Sequence, residues 1–224
     1  MRWLRVATLA LLMSFAPTMA GPPLSADPVT VPELVAAVES TYAGVNSLKA
    51  DFVQVSRSAS MGQETRQRGQ VTLKRPRKMR WDFNQPDASS FVTDGATMWV
   101  YSSASNQVIV SPVSAGAGGM TQLLDDLNQL DELFNVTIVD GAGNSAKGTY
   151  VLDLVPKTPS SNFKKLRLTL TKKKYMPEAV LLTDTFDNQV ELTFSQVRVN
   201  QDIPDAEFNF KAPKGATVVN TGGN

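Results

Sequence analysis

Two short runs of alternating apolar and polar residues meet in the stretch QVTLKRPRKMRWDF, which extends from Gln70 to Phe83. Such alternation is typical of β-strands, because successive side chains of a strand point to opposite faces of a sheet. The pattern predicts one strand over residues 70–74 and another over residues 78–83, with Pro76 between them. The apolar side chains of both strands fall on one face, which carries Val71, Leu73, Met79, Trp81 and Phe83.

More short strands are predicted on both sides of this stretch, and turn signals separate them. Asp94-Gly95 is a strong hairpin signal, while Asp140-Gly141 and Asp187-Asn188 mark later turns. The further predicted strands cover residues 50–55, 91–92, 98–101, 108–110, 136–139, 150–155, 166–171, 179–185, 190–199 and 208–210. Strands that follow one another without intervening helices indicate antiparallel pairing.

Two segments break the strand pattern and are predicted to be helical. Thr30 and Glu33 have the spacing of a capping box. Apolar residues then recur at helical spacing, at Leu34, Val38, Tyr42, Val45 and Leu48. The second segment follows glycine-rich residues 114–119 and places one apolar series at helical spacing, namely Met120, Leu123, Leu124, Leu127, Leu130 and Phe134. A lid over an open sheet face explains this second helix, and an ordinary core helix after a loose loop explains it equally well.

The composition excludes several kinds of chemistry. The chain has no His and no Cys, so Ser-His-Asp and Cys-His catalysis and the usual zinc sites are excluded. The glycine-rich segment lacks the lysine of a phosphate-binding loop, and no dinucleotide-binding motif is found. The 22 basic and 21 acidic residues nearly balance, which argues against a nucleic-acid partner. We therefore expect a protein without cofactor or metal that is not an enzyme.

The first twenty residues have the pattern of a secretory signal. Arg2 and Arg5 precede an apolar run that is too short to span a bilayer, and a small-x-small motif ends at Ala20. We expect cleavage near Ala20 and Gly21, a flexible segment over residues 21–30, one domain over residues 31–219 and a tail over residues 220–224. Because no Cys follows the signal to accept a lipid anchor, we expect a soluble exported protein.

The apolar face of the central strand pair is expected to line a concave surface, with Phe52 of the preceding strand nearby. The hairpin around Asp94-Gly95 adds one of two sets to this surface, either Trp99 and Tyr101 or else Met98 and Val100. We assign Trp99 to the surface.

Arg75 follows the apolar series of its strand with the same parity as Val71 and Leu73. If the strand continues, the guanidinium points to the apolar side, where it needs hydrogen-bond partners because an unsatisfied buried charge is costly. If Pro76 bends the chain instead, Arg75 turns to solvent. The residues alone leave both alternatives open.

Five stretches of the chain form an ordered set of motifs. They are SLKADFVQ at residues 47–54, LKRPRKMRW at residues 73–81, QPD and VTDGATMWVY within residues 85–101, LVPK at residues 154–157 and FNFKAPKG at residues 208–215. Over residues 31–219, this set resembles the family of outer-membrane lipoprotein carrier proteins, LolA. Each motif alone is weak, but their order together is specific to the family.

The resemblance implies a mainly β fold with helices, a half-open antiparallel β-barrel whose apolar cavity is covered by helices. It implies a periplasmic chaperone, expected to be a monomer, that shields the acyl chains of lipoproteins. Such a chaperone receives lipoproteins from an inner-membrane ABC transporter that releases them, and delivers them to an outer-membrane receptor. It further implies that Arg75 holds the lid closed through hydrogen bonds to lid backbone.

On this interpretation the cavity is lined by Phe52, Val71, Leu73, Met79, Trp81, Phe83 and Trp99, and the lid carries Met120, Leu123, Leu124 and Leu127. Two features depart from the family pattern. The position of Met79 is commonly aromatic in the family, and residues 114–134 match it poorly. Two other functions stay open: a related binder of another lipid, and a sensor domain that binds protein partners and carries no lipid.

Overall fold

The computed structural model describes residues 29–113, 127–139, 148–158 and 163–221. The elements in these ranges are α1 (Val31–Ala43), β1 (Ser47–Arg57), β2 (Glu64–Lys74), β3 (Lys78–Gln85), β4 (Ser89–Thr93), β5 (Thr97–Ser102), β6 (Gln107–Pro112), α2 (Leu130–Leu133), β7 (Phe134–Ile138), β8 (Thr149–Pro156), β9 (Lys165–Thr171), β10 (Pro177–Thr183), β11 (Gln189–Val199), a 3-10 helix (Asp205–Phe208) and β12 (Thr217–Asn220). The signal predicted over residues 1–20 and the turn predicted at Asp140-Gly141 lie outside the described residues.

The predicted capping box starts α1. The Thr30 side chain accepts a hydrogen bond from the Glu33 N–H, and the Glu33 carboxylate accepts one from the Thr30 N–H at 2.9 Å. The hydrogen bonds that the Glu33 carboxylate accepts from the Thr30 N–H and hydroxyl lower the pKa of Glu33, because they favour its charged form. The helix buries Leu34, Val38 and Tyr42 of the predicted apolar series together with Val35, but it ends at Ala43, so Val45 and Leu48 of that series lie beyond it.

The strands of the described residues form one sheet in the order β12-β6-β5-β4-β3-β2-β1-β11-β10-β9-β8-β7. Neighbouring strands pair antiparallel, except that β12 runs parallel to β6. Two meanders, β1 to β6 and β7 to β11, make up most of this order, as expected from strands joined by short turns, and the pairing of β1 with β11 joins them. In the described part of the chain, the edge strands β7 and β12 do not pair with each other, so the curled sheet stays open. The predicted half-open, mainly β architecture is confirmed.

The main core lies on one face of this sheet, which we call the inner face. Its buried side chains come from strands across the sheet and include Val71 and Trp81 near the middle of the strand order and Leu152 and Leu168 towards the β7 edge. Leu34, Val38 and Tyr42 of α1 belong to the same packed cluster. Because α1 lays its apolar side on this face, the burial that stabilises the helix also covers the sheet.

Only the C-terminal part of the predicted second helix lies in the described residues, and residues 127–129 of that part are not helical. Leu127 and Leu130 are fully buried in the main core, but the described helix α2 covers only Leu130–Leu133. Phe134, predicted to be helical, is the first residue of β7 and pairs with Pro156. The sheet therefore overrides the helical spacing at this point, because pairing with β8 satisfies the backbone from Phe134 onward.

The opposite face of the sheet, which we call the outer face, is partly covered by the C-terminal segment. The Lys74 ammonium donates to the Ile203 carbonyl at 2.7 Å, and Arg80 donates to the Glu207 carbonyl at 3.2 Å. Ile203 and Phe208 are buried there, outside the main core.

The prediction of a strand over residues 208–210 is wrong. Phe208 ends the 3-10 helix, and the last strand is β12, Thr217–Asn220, on the edge of β6. Phe208 and Phe210 pack against the outer face and do not pair with a strand. Phe208 is buried, and the Phe210 ring lies 6.2 Å from the Tyr101 ring.

Asp205 is expected to tie this segment to the sheet in a pH-dependent way. Its carboxylate contacts both Lys74 and Lys78 at 2.7 Å, and these hydrogen bonds lower its pKa from 3.8 to about 2. Since the folded pKa lies below the unfolded one, the stabilisation is present above about pH 4 and is lost as the pH falls through about 2. Amide hydrogen exchange of residues 203–208 should therefore accelerate over that window, modestly because the pair is exposed and screened. In the Asp205→Asn variant, residues 203–208 should exchange faster at neutral pH and show no change in rate between about pH 4 and about pH 2. Exchange as slow as in the wild type would contradict the role of Asp205.

Candidate functional site

Three aromatic rings form the centre of the inner face on β1 and β3. The Phe52 ring lies 4.9 Å from the Trp81 ring and 5.1 Å from the Phe83 ring, in tilted and edge-to-face arrangements. These geometries suit the quadrupoles of aromatic rings and stabilise the contacts beyond area burial alone. Phe52 and Trp81 are buried, and Phe83 is half-buried.

Gly69 makes room for these rings. It pairs with Phe52 on one side and with Phe83 on the other, next to an irregularity in the β2–β3 register. A Cβ at this position would lie 1.9 Å from the Asp82 carbonyl oxygen and 2.8 Å from the Phe52 ring. Only glycine allows the backbones and rings to approach so closely. Sequence reasoning missed Gly69, although a glycine inside a strand is a recognised signal of close approach.

The predicted shared face of β2 and β3 is confirmed. Leu73 pairs with Met79, and Val71 pairs with Trp81, so their side chains lie together on the inner face. Val71, Met79 and Trp81 are buried, and Leu73 is half-buried against the main core.

Met79 has a specific partner on this face. The Trp81 indole N–H donates to the Met79 sulfur at 2.8 Å. Because a buried indole N–H needs an acceptor, the thioether sulfur fills that role for Trp81.

The assignment of Trp99 to this surface is wrong. Trp99 pairs with Val92, which pairs with Arg80, so Trp99 lies on the outer face. The alternative set is on the inner face, since Met98 pairs with Thr93, which pairs with Met79. The turn decides the register: the Asp94 carboxylate accepts from the N–H groups of Ala96 and Thr97, both at 2.8 Å.

Arg75 lies just past the end of β2, and its N–H donates to the Asn46 carbonyl at 2.9 Å. It is half-buried and lines a small pocket together with Tyr42, Leu48 and Leu73, which belong to the main core and its rim. The buried Tyr42 hydroxyl has no hydrogen-bond partner in the described residues, and burial raises the pKa of Tyr42 above its usual range. The structure therefore brings Arg75 beside the inner face, at the end of the sheet where α1 ends.

Three of the four predicted lid residues, Met120, Leu123 and Leu124, lie outside the described residues. Leu127 is fully buried in the main core. No helix in the described ranges is both long and apolar enough to cross a membrane. The acidic side chains that the structure describes do not gather into a metal-binding group.

Fold and site together define the class of half-open β-barrels with an apolar inner face. Within it, the chain belongs to the family of outer membrane lipoprotein carrier proteins, LolA, whose model matches residues 43–211. The match extends from the end of α1 to just past the 3-10 helix, so it includes β1 to β11 and Arg75.

Two relatives carry the name of this family, and a solved structure shares the fold. The chain is 31% identical to the outer-membrane lipoprotein carrier protein of Methylobacillus flagellatus, over 83% of this chain and 88% of that protein. It is also 31% identical to the carrier protein of Chromobacterium violaceum, over 83% of this chain and 86% of that protein. The fold is similar to the crystal structure of an uncharacterized conserved protein from Thermus thermophilus, with a TM-score of 0.54 and 16% identity, covering 84% of this chain and 98% of that one.

Proposed function

We propose that the protein is a non-enzymatic periplasmic chaperone for lipoproteins, exported by a signal cleaved near Ala20 and Gly21. It receives lipoproteins from an inner-membrane ABC transporter, shields their acyl chains and delivers them to an outer-membrane receptor. The observation that carries this proposal is the continuous apolar inner face of an open sheet in a chain of the carrier family.

Acyl chains need such a surface because their exposure to water is costly. Burying one methylene contributes about 0.8 kcal/mol, so a chain of about 15 carbons costs roughly 12 kcal/mol in water. Unassisted diffusion of a lipoprotein between membranes is therefore negligible. An apolar inner face on a sheet whose described edge strands do not pair with each other offers such chains a surface.

The bound ligand distinguishes this function from its alternatives. Mass spectrometry of protein purified from the periplasm should find lipoprotein bound to it. Free phospholipid or fatty acid alone would indicate a binder of another lipid, and no acyl ligand at all would favour a sensor domain. Phe83→Ser on the inner face should reduce the bound lipoprotein, whereas Tyr101→Ser, which removes an aromatic ring from the outer face, is the matched control.

We further propose that Arg75 latches a lid that carries Met120, Leu123, Leu124 and Leu127. An empty apolar cavity invites aggregation, so a carrier gains from a cover that closes when no ligand is bound. The support is the position of Arg75 beside the inner face and the burial of Leu127 in the same core.

A lid of this kind is expected to open more readily than the central strands. The glycine-rich sequence of residues 114–119 favours local opening, because glycine adds backbone freedom. Hydrogen exchange should show residues 116–130 much less protected than β1, β2 and β11. Equal protection of the two regions would rule out the lid.

A further inference from the structure

Two neighbouring hairpin tips present large apolar side chains to solvent. Met61, in the β1–β2 turn, is 68% exposed, and Phe186, in the β10–β11 turn, is 80% exposed. The tips are adjacent because β1 pairs with β11 and Arg57 lies opposite Gln189, at the end of the sheet away from Arg75. Both tips belong to the described residues and play no part in the inner face.

Phe186 lies in a turn that several hydrogen bonds hold in place. The Asp184 carboxylate accepts hydrogen bonds from the Phe186 N–H at 2.8 Å, the Asn188 N–H at 2.9 Å and the Asn188 side-chain amide at 2.8 Å. The Asn188 side-chain oxygen in turn accepts from the Ala59 N–H at 3.1 Å. Asn188 therefore ties the two tips together.

The Met61 turn is closed in a similar way. The Met61 N–H donates to the Ser58 hydroxyl at 3.3 Å, and the Gly62 N–H donates to the Ser58 carbonyl at 3.0 Å. The left-handed φ of 64° at Gly62 completes the turn. Because local hydrogen bonds hold the backbone, the two apolar side chains are presented to solvent without strain on the sheet.

Cationic side chains lie behind the tips. Arg66 and Arg68 are exposed on the outer face of β2, and neither makes an ion pair with the residues that the structure describes. Arg57 by contrast is paired with two carboxylates, those of Glu64 at 3.0 Å and Glu191 at 2.9 Å. Arg66 and Arg68 are therefore the unpaired cations of β2 in the part of the chain that the structure describes.

We propose that Met61 and Phe186 form a membrane-contact site that inserts shallowly into a phospholipid bilayer, with Arg66 and Arg68 meeting anionic headgroups. Two side chains of this size offer roughly 300 Å², well below the about 800 Å² that a stable protein interface buries on each partner. Projecting apolar tips flanked by cations are instead the pattern of a peripheral membrane contact. The occupant is thus a lipid surface.

The contact is weak and reversible, because two shallow side chains bury far less than an acyl anchor. This suits a protein that visits a membrane and leaves it. The site needs no bound lipoprotein, so it stands independently of the carrier function proposed above.

The chain has no cysteine, which allows a direct test with a single label. The full chain is expressed with Met61→Cys or Phe186→Cys, and the purified protein is labelled with an environment-sensitive NBD fluorophore. Addition of vesicles of phosphatidylethanolamine and phosphatidylglycerol should shift its emission to the blue at both positions. Val218→Cys, exposed on β12 six strands away from β1, is the control and should show no shift.

Flotation with the same vesicles measures binding by the unlabelled protein. The double substitution Met61→Ser with Phe186→Ser should weaken partition by at least about tenfold, and Arg66→Gln with Arg68→Gln should weaken it only for vesicles that contain phosphatidylglycerol. Val218→Ser should bind like the wild type. The proposal is overturned if the wild type does not float, if it floats without a blue shift at the tips, or if the double serine substitution changes only self-association.

Discussion

Replacement of Arg75 by leucine is expected to leave the protein folded and able to accept lipoprotein, but to slow delivery to the outer-membrane receptor. The fold should survive because Arg75 follows β2 and its observed backbone contact, from its N–H to the Asn46 carbonyl, needs no guanidinium. A guanidinium offers five donors in fixed directions, which leucine lacks. Hydrogen bonds to a charged group contribute about 1.5–3 kcal/mol to the closed lid. Their loss should therefore lower the transfer rate by about ten- to hundredfold.

The control for this variant is two residues away. Arg77→Leu makes the same chemical change at an exposed position in the β2–β3 turn and should transfer at the wild-type rate. Arg75→Lys should be intermediate, since an ammonium keeps the charge but not the planar fork. Wild-type delivery by the Arg75→Leu protein would dismiss the latch while leaving the carrier function intact.

Substitution of Gly69 by alanine is expected to be the most destabilising single-atom change in the site. The new Cβ would lie 1.9 Å from the Asp82 backbone oxygen, and no rotamer change can relieve a clash with backbone. The β2–β3 pairing would have to shift and the Phe52 ring would have to move. We expect a loss of about 3 kcal/mol or more in the free energy of unfolding, measured by urea titration.

Gly44→Ala is the matched control for Gly69→Ala. Gly44 caps α1 with a φ of −88°, and a Cβ there would meet only the Thr41 oxygen at 3.6 Å, an ordinary contact. Its unfolding free energy should stay within about 0.5 kcal/mol of the wild type. Equal stabilities of the two alanine variants would mean that the backbones of β2 and β3 do not approach as closely as described.

The sequence predicts what depends on local pattern. Strand parity places Val71, Leu73, Met79 and Trp81 on one face, and the capping box of Thr30 starts α1 where it is expected. These features follow from the pleat and from helix capping, which act within a few residues.

Features that depend on distant pairing are harder to predict. The face of Trp99 depends on the turn that the Asp94 carboxylate fixes, and a change of one residue reverses every side chain of the strand. Phe208 belongs to an alternating run that is typical of a strand, but it is buried against the outer face, where Arg80 of β3 binds the neighbouring Glu207 carbonyl. Gly69 matters only because Phe52 and Asp82 approach it from two neighbouring strands.

The most direct test of the carrier function is a release assay. Inner-membrane vesicles that contain the ATP-driven release complex and a labelled lipoprotein are incubated with the purified protein and ATP, and the vesicles are then sedimented. We expect labelled lipoprotein in the supernatant, in a soluble complex with this protein, only when both protein and ATP are present. Lipoprotein that stays entirely with the vesicles would contradict the carrier function.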